Sequence, residues 1–114
     1  MIAVIFEVWP KPEHRDRYLA IAADLRPLLE GVDGFISVER FESLTEPGKL
    51  LSLSFWRDEE ALAQWRAVEA HRKAQMAGRG VMFEDYRLRI AGIIRDYGKT
   101  ERDQAPEDSR AVHG

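Results

Sequence analysis

The chain has 114 residues, 45% of them hydrophobic and 32% charged, which suits one folded domain and leaves no room for separate cofactor and substrate domains. Seventeen Lys and Arg against twenty Asp and Glu give a net charge of −3, the wrong sign for a phosphate-binding surface, so no nucleic-acid partner is expected. There is no cysteine, which excludes disulfides, iron–sulfur clusters, zinc–thiolate sites and cysteine nucleophiles, and three histidines are too few to suggest a His-rich metal centre.

The N-terminus is apolar but carries no basic residues, and Glu7 interrupts it. A membrane span needs about 20 apolar residues. The segment therefore reads as neither a leader nor a span, and a soluble cytoplasmic protein without a membrane partner is expected. Residues 2–9 are rich in Ile, Val, Phe and Trp, the residues of strands. Both parities are mostly apolar, so both faces of this strand should be covered. Pro10 and Pro12 end it.

Residues 14–30 read as a helix, because Tyr18, Ile21, Ala22, Leu25, Leu28 and Leu29 repeat on one face. Pro27 removes one backbone bond near its end, and Gly31 is placed as its stop. Asp33-Gly34 opens a second strand over 35–43. Pro47-Gly48 is a turn with Pro at the second position and Gly supplying positive φ at the third. A third strand, 50–56, completes a hairpin. Asp58 is a predicted N-cap, with Glu59 and Glu60 in the first turn, for a helix running to about Met76. Residues 85–97 read as the last strand, with Tyr86, Leu88 and Ile90 on one side and Arg87, Arg89 and Arg95 on the other. From Lys99 the chain is polar, so 1–98 is the folded domain and 99–114 a tail, disordered or lying on a partner subunit.

The order strand, helix, strand, strand, helix, strand predicts an α+β, ferredoxin-like βαββαβ fold: a four-stranded antiparallel sheet with two helices on one face. The other face also carries Ile, Leu, Phe and Trp. An exposed apolar sheet face marks an interface, and a homodimer packed sheet to sheet is the simplest solution.

The run Leu53 to Arg66, followed by Glu69 to Gln75, resembles the antibiotic biosynthesis monooxygenase family, as does the second-strand run Gly34 to Phe41 before a Pro-Gly turn. The resemblance covers about residues 1–98. It implies a dimeric α/β barrel with a ligand pocket between sheet and helices in each subunit. Some members are cofactor-free oxygenases that convert aromatic anthrones to quinones, and others bind and degrade haem. The haem-degrading branch places a His ligand about ten residues after the helical Trp. Counted from Trp65 that position is Gln75, with His71 one turn earlier. The branch also uses an Asn on the first strand, where this chain has Ile5 and Phe6.

The expectation is thus a cofactor-independent monooxygenase acting with molecular oxygen on a small aromatic, anthrone- or quinol-like substrate. The alternative is a non-catalytic dimer of the same fold that holds a small hydrophobic ligand or haem. Such an oxygenase asks little of its protein: an apolar pocket, a polar group that takes or holds a proton, and access for oxygen. His71, whose ordinary pKa suits proton transfer near neutrality, and Tyr86, a hydroxyl donor, are the candidate catalytic residues. Trp65, Arg72, Phe83 and Gln75 are the candidate substrate-binding residues. All but Gln75 have a plainer reading: Trp65, Phe83 and Tyr86 as core aromatics, His71 as a surface or structural histidine, and Arg72 as paired with Glu69 or turned to solvent. His14 and His113 lack a catalytic setting. Ser37, Ser52 and Ser54 leave room beside large apolar residues but have no His–Asp partner pattern. Arg87, Arg89 and Arg95 are read as paired with carboxylates such as Glu39.

Overall fold

The computed structural model describes residues 1–75 and 82–113, with side chains described for 1–69 and 82–113. Four strands, β1 (Ile2–Pro10), β2 (Phe35–Glu42), β3 (Leu50–Trp56) and β4 (Phe83–Gly92), form one antiparallel sheet in the order β2-β3-β1-β4. The helices α1 (Arg15–Glu30) and α2 (Glu59–Gln75) follow β1 and β3, and a short α3 (Glu107–His113) closes the chain. This is the ferredoxin-like arrangement expected from the order of elements.

Register assigns the faces. Val4 lies opposite Ser54 and Ile90, Phe6 opposite Ser52 and Leu88, and Val8 opposite Leu50 and Tyr86. These side chains share a face, because alternate residues of a strand point the same way. That face is the core: Val4, Val8, Val38, Leu50 and Trp56 pack against Tyr18, Ile21, Leu25 and Leu29 of α1 and Ala61, Leu62 and Trp65 of α2. The opposite face, with Ile5, Leu51, Leu53 and Phe55, carries neither α1 nor α2.

Local chemistry sets the connections. Gly48 has φ +82°, and the Lys49 N–H donates to Glu46 O at 3.3 Å, closing the Pro-Gly turn between β2 and β3. Asp58 Oδ1 accepts the Ala61 N–H at 2.9 Å, the expected cap of α2. A 3-10 turn at Pro12–His14 leads into α1, which therefore starts at Arg15. Gly31 keeps an ordinary φ of −81°; the left-handed residue is Gly34, φ +92°, three positions later.

Two boundaries differ from the sequence expectation. The last strand runs over 83–92 rather than 85–97. Its ladder partner β1 begins at Ile2, opposite Gly92, so beyond the Ile93 N–H to Met1 O bond of 3.0 Å nothing remains to pair with. At its other end a register shift beside Pro10 brings Phe83 into the ladder. The polar tail carries α3, and arginines rather than apolar burial organise it. Arg102 donates to Gly98 O (3.1 Å) and Ser109 Oγ (2.7 Å), and Arg110 donates to Arg102 O and Asp103 O. No residue of α3 is buried. The radius of gyration is 16.8 Å, against about 13 Å for a compact chain of this length. No helix among the described residues is long and apolar enough to cross a membrane.

Candidate functional site

The β1–β4 half of the core face gathers aromatic rings. Phe83 stands 5.4 Å from Tyr18, 6.1 Å from Phe6 and 6.3 Å from Tyr86, and Phe6 stands 5.8 Å from Tyr86, measured between ring centroids. The arrangements are edge-on or tilted, as ring quadrupoles prefer. Tyr18 is buried, Phe6 and Phe83 are half-buried, and Tyr86 is 59% exposed. Leu88 and Ile90 continue the same face along β4, also open to solvent. An apolar ledge therefore runs from a buried aromatic cluster out to the sheet edge. Phe83 and Tyr86 were expected at the site; Phe6 and Tyr18 were read only as strand and helix core. Tyr18, the one aromatic on the apolar face of α1, was the available signal.

Trp65 belongs to the hydrophobic core that α2 and the sheet share and is 8% exposed. The indole N–H of Trp56 donates to Ser54 Oγ at 2.9 Å, and that of Trp9 to Glu46 Oε1 at 3.1 Å. The Trp65 indole has no hydrogen-bond partner among the described residues. The Trp65 nitrogen is not among the buried, unpartnered polar atoms of the described residues, so its N–H stays open to donate to water or to a ligand oxygen.

The seat of α2 fixes where Trp65 points. Arg57 bridges Asp33 (3.2 Å) and Asp58 (3.2 Å), tying the start of α2 to the entry of β2. The Ala61 N–H and then Arg57 hold the Asp58 carboxyl below its ordinary pKa, and Asp33 followed by Asp58 raises that of Arg57. A Cβ at Gly34 would lie 2.7 Å from Ala61 Cβ, so helix and loop touch where only glycine fits.

His71, Arg72 and Gln75 belong to the backbone of α2, and their side chains lie outside the described residues. Ser54 is spent on Trp56, while Ser52 is half-buried beside Phe6. Arg40, across from Ser52 on the core face of β2, keeps a buried Nε without a partner. Among the described residues the last-strand arginines make no ion pair with Glu39, the carboxylate named as an example. Arg89 instead meets Glu7 at 3.3 Å, because Glu7 on β1 is one strand away and Glu39 on β2 is three. His14 stands at the N-cap position of α1 without a side-chain cap hydrogen bond, and His113 ends α3; neither contacts the aromatic rings. Among the described residues no three of His, Cys, Asp or Glu come together as a metal site. An open cleft of about 680 Å³ lies between Met1, Ile93, Ile94 and the 100–104 segment; it is lined mainly by polar groups and does not include Trp65.

The antibiotic biosynthesis monooxygenase family pattern matches residues 1–77. The chain is 52% identical over 101 residues to a "Jasmonate monooxygenase ABM" of Pyricularia oryzae, covering 89% of this chain and 47% of that protein. It thus spans about half the length of that relative. Among solved structures, Rv0793 from Mycobacterium tuberculosis superposes with a TM-score of 0.72 at 21% identity, covering 85% of this chain and 98% of the other. A MhuD variant solved with two manganese protoporphyrin IX molecules per active site gives 0.67 at 16% identity, covering 86% and 99%. These two likenesses concern the fold. The match over most of the chain, with the fold and the tryptophan-bearing second helix in place, establishes that this chain belongs to the antibiotic biosynthesis monooxygenase family.

Proposed function

We propose that the chain is a cofactor-independent monooxygenase working as a homodimer, with its substrate held between α2 and the β1–β4 half of the sheet. The observation that carries this is the Phe6–Tyr18–Phe83–Tyr86 ring cluster on the core face of a monooxygenase-family chain, open to solvent at Tyr86, with Trp65 of α2 in the same hydrophobic core and its indole N–H without a partner among the described residues. The aromatic walls bind a flat apolar molecule, and Trp65, with Tyr86 at the open end, hydrogen-bonds its oxygens. For an anthrone-like substrate the reaction balances without a reductant. A base takes a proton from the reacting CH₂, the resulting electron-rich anion reduces O₂, and loss of water from the hydroperoxide leaves a carbonyl. One oxygen atom enters the product and the other leaves as water. His71, six residues beyond Trp65 in α2, is the candidate base, and Arg72 and Gln75 are candidate anchors for the substrate anion.

The 52% identical relative favours a second reading, in which the substrate is a jasmonate, an alicyclic ketone bearing a carboxylate. Oxygen insertion at an unactivated carbon needs two further electrons. The two readings therefore separate in one experiment: oxygen uptake by metal-stripped protein against hydroxyanthrones, hydroquinones and a jasmonate, with and without NADPH. Saturable uptake on the first two classes without NADPH, lost in Trp65→Phe and His71→Ala, supports the primary reading. NADPH-dependent uptake confined to the jasmonate replaces it with the second. No uptake on any substrate, together with saturable haem binding in a titration, replaces both with a binding role.

A further inference from the structure

The core face of the sheet divides into rows that run across the strands, because paired residues of neighbouring strands stand side by side. One row is Val38, Ser54, Val4 and Ile90, and another is Glu42, Leu50, Val8 and Tyr86. Both are closed in the middle: Val38, Ser54 and Val4 are each 8% exposed, Leu50 is 5% exposed and Val8 is fully buried. The row between them is Arg40, Ser52, Phe6 and Leu88. Its first three members are only half-buried, and Leu88 is half-exposed. The packing that seals the rows on either side therefore leaves this one partly uncovered among the described residues.

Arg40 is the charged member of the open row. A guanidinium stays ionised and offers a planar fork of donors. The Nε–H of Arg40 is buried and has no acceptor, and no ion pair satisfies the side chain among the described residues. The nearby acids are not available to it. Glu42, two positions on and on the same face, is taken by Arg15 at 3.5 Å, and Glu39 belongs to the opposite face. Ser52, across the ladder, has a hydroxyl without a partner among the described residues, whereas that of Ser54 is spent on Trp56. A covered cationic donor with no answering group is favourable only when an anion meets it. Neighbouring strands lie about 4.8 Å apart, so Arg40 and Phe6 stand about 10 Å apart with Ser52 between them. That is the span of a small fused-ring molecule, with its rings on Phe6 and an anionic group on Arg40.

We propose that the substrate carries a carboxylate, and that Arg40 binds it through the Nε edge of its guanidinium with the Ser52 hydroxyl as a further donor. The inference rests on the substrate seat proposed above, extends it across β3 to β2 and adds its substrate class. It does not depend on which reaction follows there. Arg40 is then a specificity residue: it selects acids over neutral molecules of the same shape, because a neutral ligand leaves its buried donor unanswered.

The test is calorimetric titration of the full chain with two matched probes, an anthracene carboxylate and the corresponding carboxamide. The wild type should bind the carboxylate tighter by about tenfold or more. Arg40→Gln should abolish that preference. Arg40→Lys should keep part of it, as a point charge without the fork. Arg26→Gln, which removes an exposed cation of α1 paired with Glu30, should keep all of it. Circular dichroism checks that each variant folds. Equal binding of the two probes by the wild type, or a preference that survives Arg40→Gln, overturns the inference. Binding of neither probe overturns the seat and the inference together. The oxygen-uptake experiment separates the two claims. Carboxylate-selective binding without uptake on any substrate upholds Arg40 and removes the monooxygenase reading, and uptake on a neutral hydroxyanthrone without carboxylate preference does the reverse.

Discussion

Gly34→Ala is the most informative single change to the scaffold. Gly34 has φ +92°, where an L side chain costs about 1–2 kcal/mol, and its new Cβ would sit 2.7 Å from Ala61 Cβ. Carbon atoms in contact rest about 3.5–4.0 Å apart, so α2 must retreat by roughly an ångström. Ala61 is almost wholly buried and its own N–H makes the cap contact with Asp58, so it has nowhere to yield. Overpacking of this kind costs about 1–3 kcal/mol. Together the effects predict a loss of about 2–5 kcal/mol, read by thermal unfolding as a fall in Tm of about 10–25 °C. Gly48→Ala is the internal control: its φ is +82°, but nothing lies within 4 Å, so it should lose only the strain, about 1–2 kcal/mol. The overlap can also be removed from the other side. In an Ala61→Gly background the cost of Gly34→Ala should shrink toward that of Gly48→Ala. Equal costs at Gly34 and Gly48, or no relief from Ala61→Gly, would refute the claim that this contact seats α2 and with it Trp65.

Three further outcomes follow from named contacts. Ser54→Ala leaves the Trp56 N–H buried without its acceptor and should cost about 1–3 kcal/mol in urea unfolding, an effect that disappears in a Trp56→Phe background; an equal cost in both backgrounds contradicts it. Asp58 has its folded pKa held below the ordinary 3.8, so its contribution is complete above that value and is lost as pH falls through the depressed one. The Tm gap between wild type and Asp58→Ala should therefore be present at neutral pH and close on acidification, and a gap that persists at about pH 2 contradicts this. Tyr86→Phe, at a 59% exposed site, should change stability by less than about 0.5 kcal/mol yet lower substrate turnover; unchanged kcat and KM remove its hydroxyl from the site.

The parts of the fold that could be read from the sequence are those decided locally. The capping role of Asp58, the Pro47-Gly48 turn and the apolar face of α1 each depend on residues within a few positions of one another. The end of β4 does not: it depends on where β1 begins, ninety residues earlier. The tail was unreadable for a different reason, since Arg102 and Arg110 organise it through backbone carbonyls that composition does not advertise. At the site, Trp65, Phe83 and Tyr86 stood out by type, but Phe6 and Tyr18 join them only through sheet register and helix docking. Arg89 pairs with a carboxylate as expected, but with Glu7 rather than the example Glu39, because strand order, which sequence adjacency does not reveal, brings Glu7 to it and keeps Glu39 two strands further off.

The central claim is that the chain inserts an oxygen atom from O₂ into a small apolar substrate held beside Trp65 without help from a cofactor. The direct measurement is mass spectrometry of the product formed from a hydroxyanthrone under isotopically labelled O₂, using metal-stripped protein and no reductant. The account predicts one labelled oxygen per product, consumption of one O₂ for each, and loss of this conversion above autoxidation in Trp65→Phe. Label in the product at the uncatalysed rate, or a product oxygen drawn from water, would contradict it.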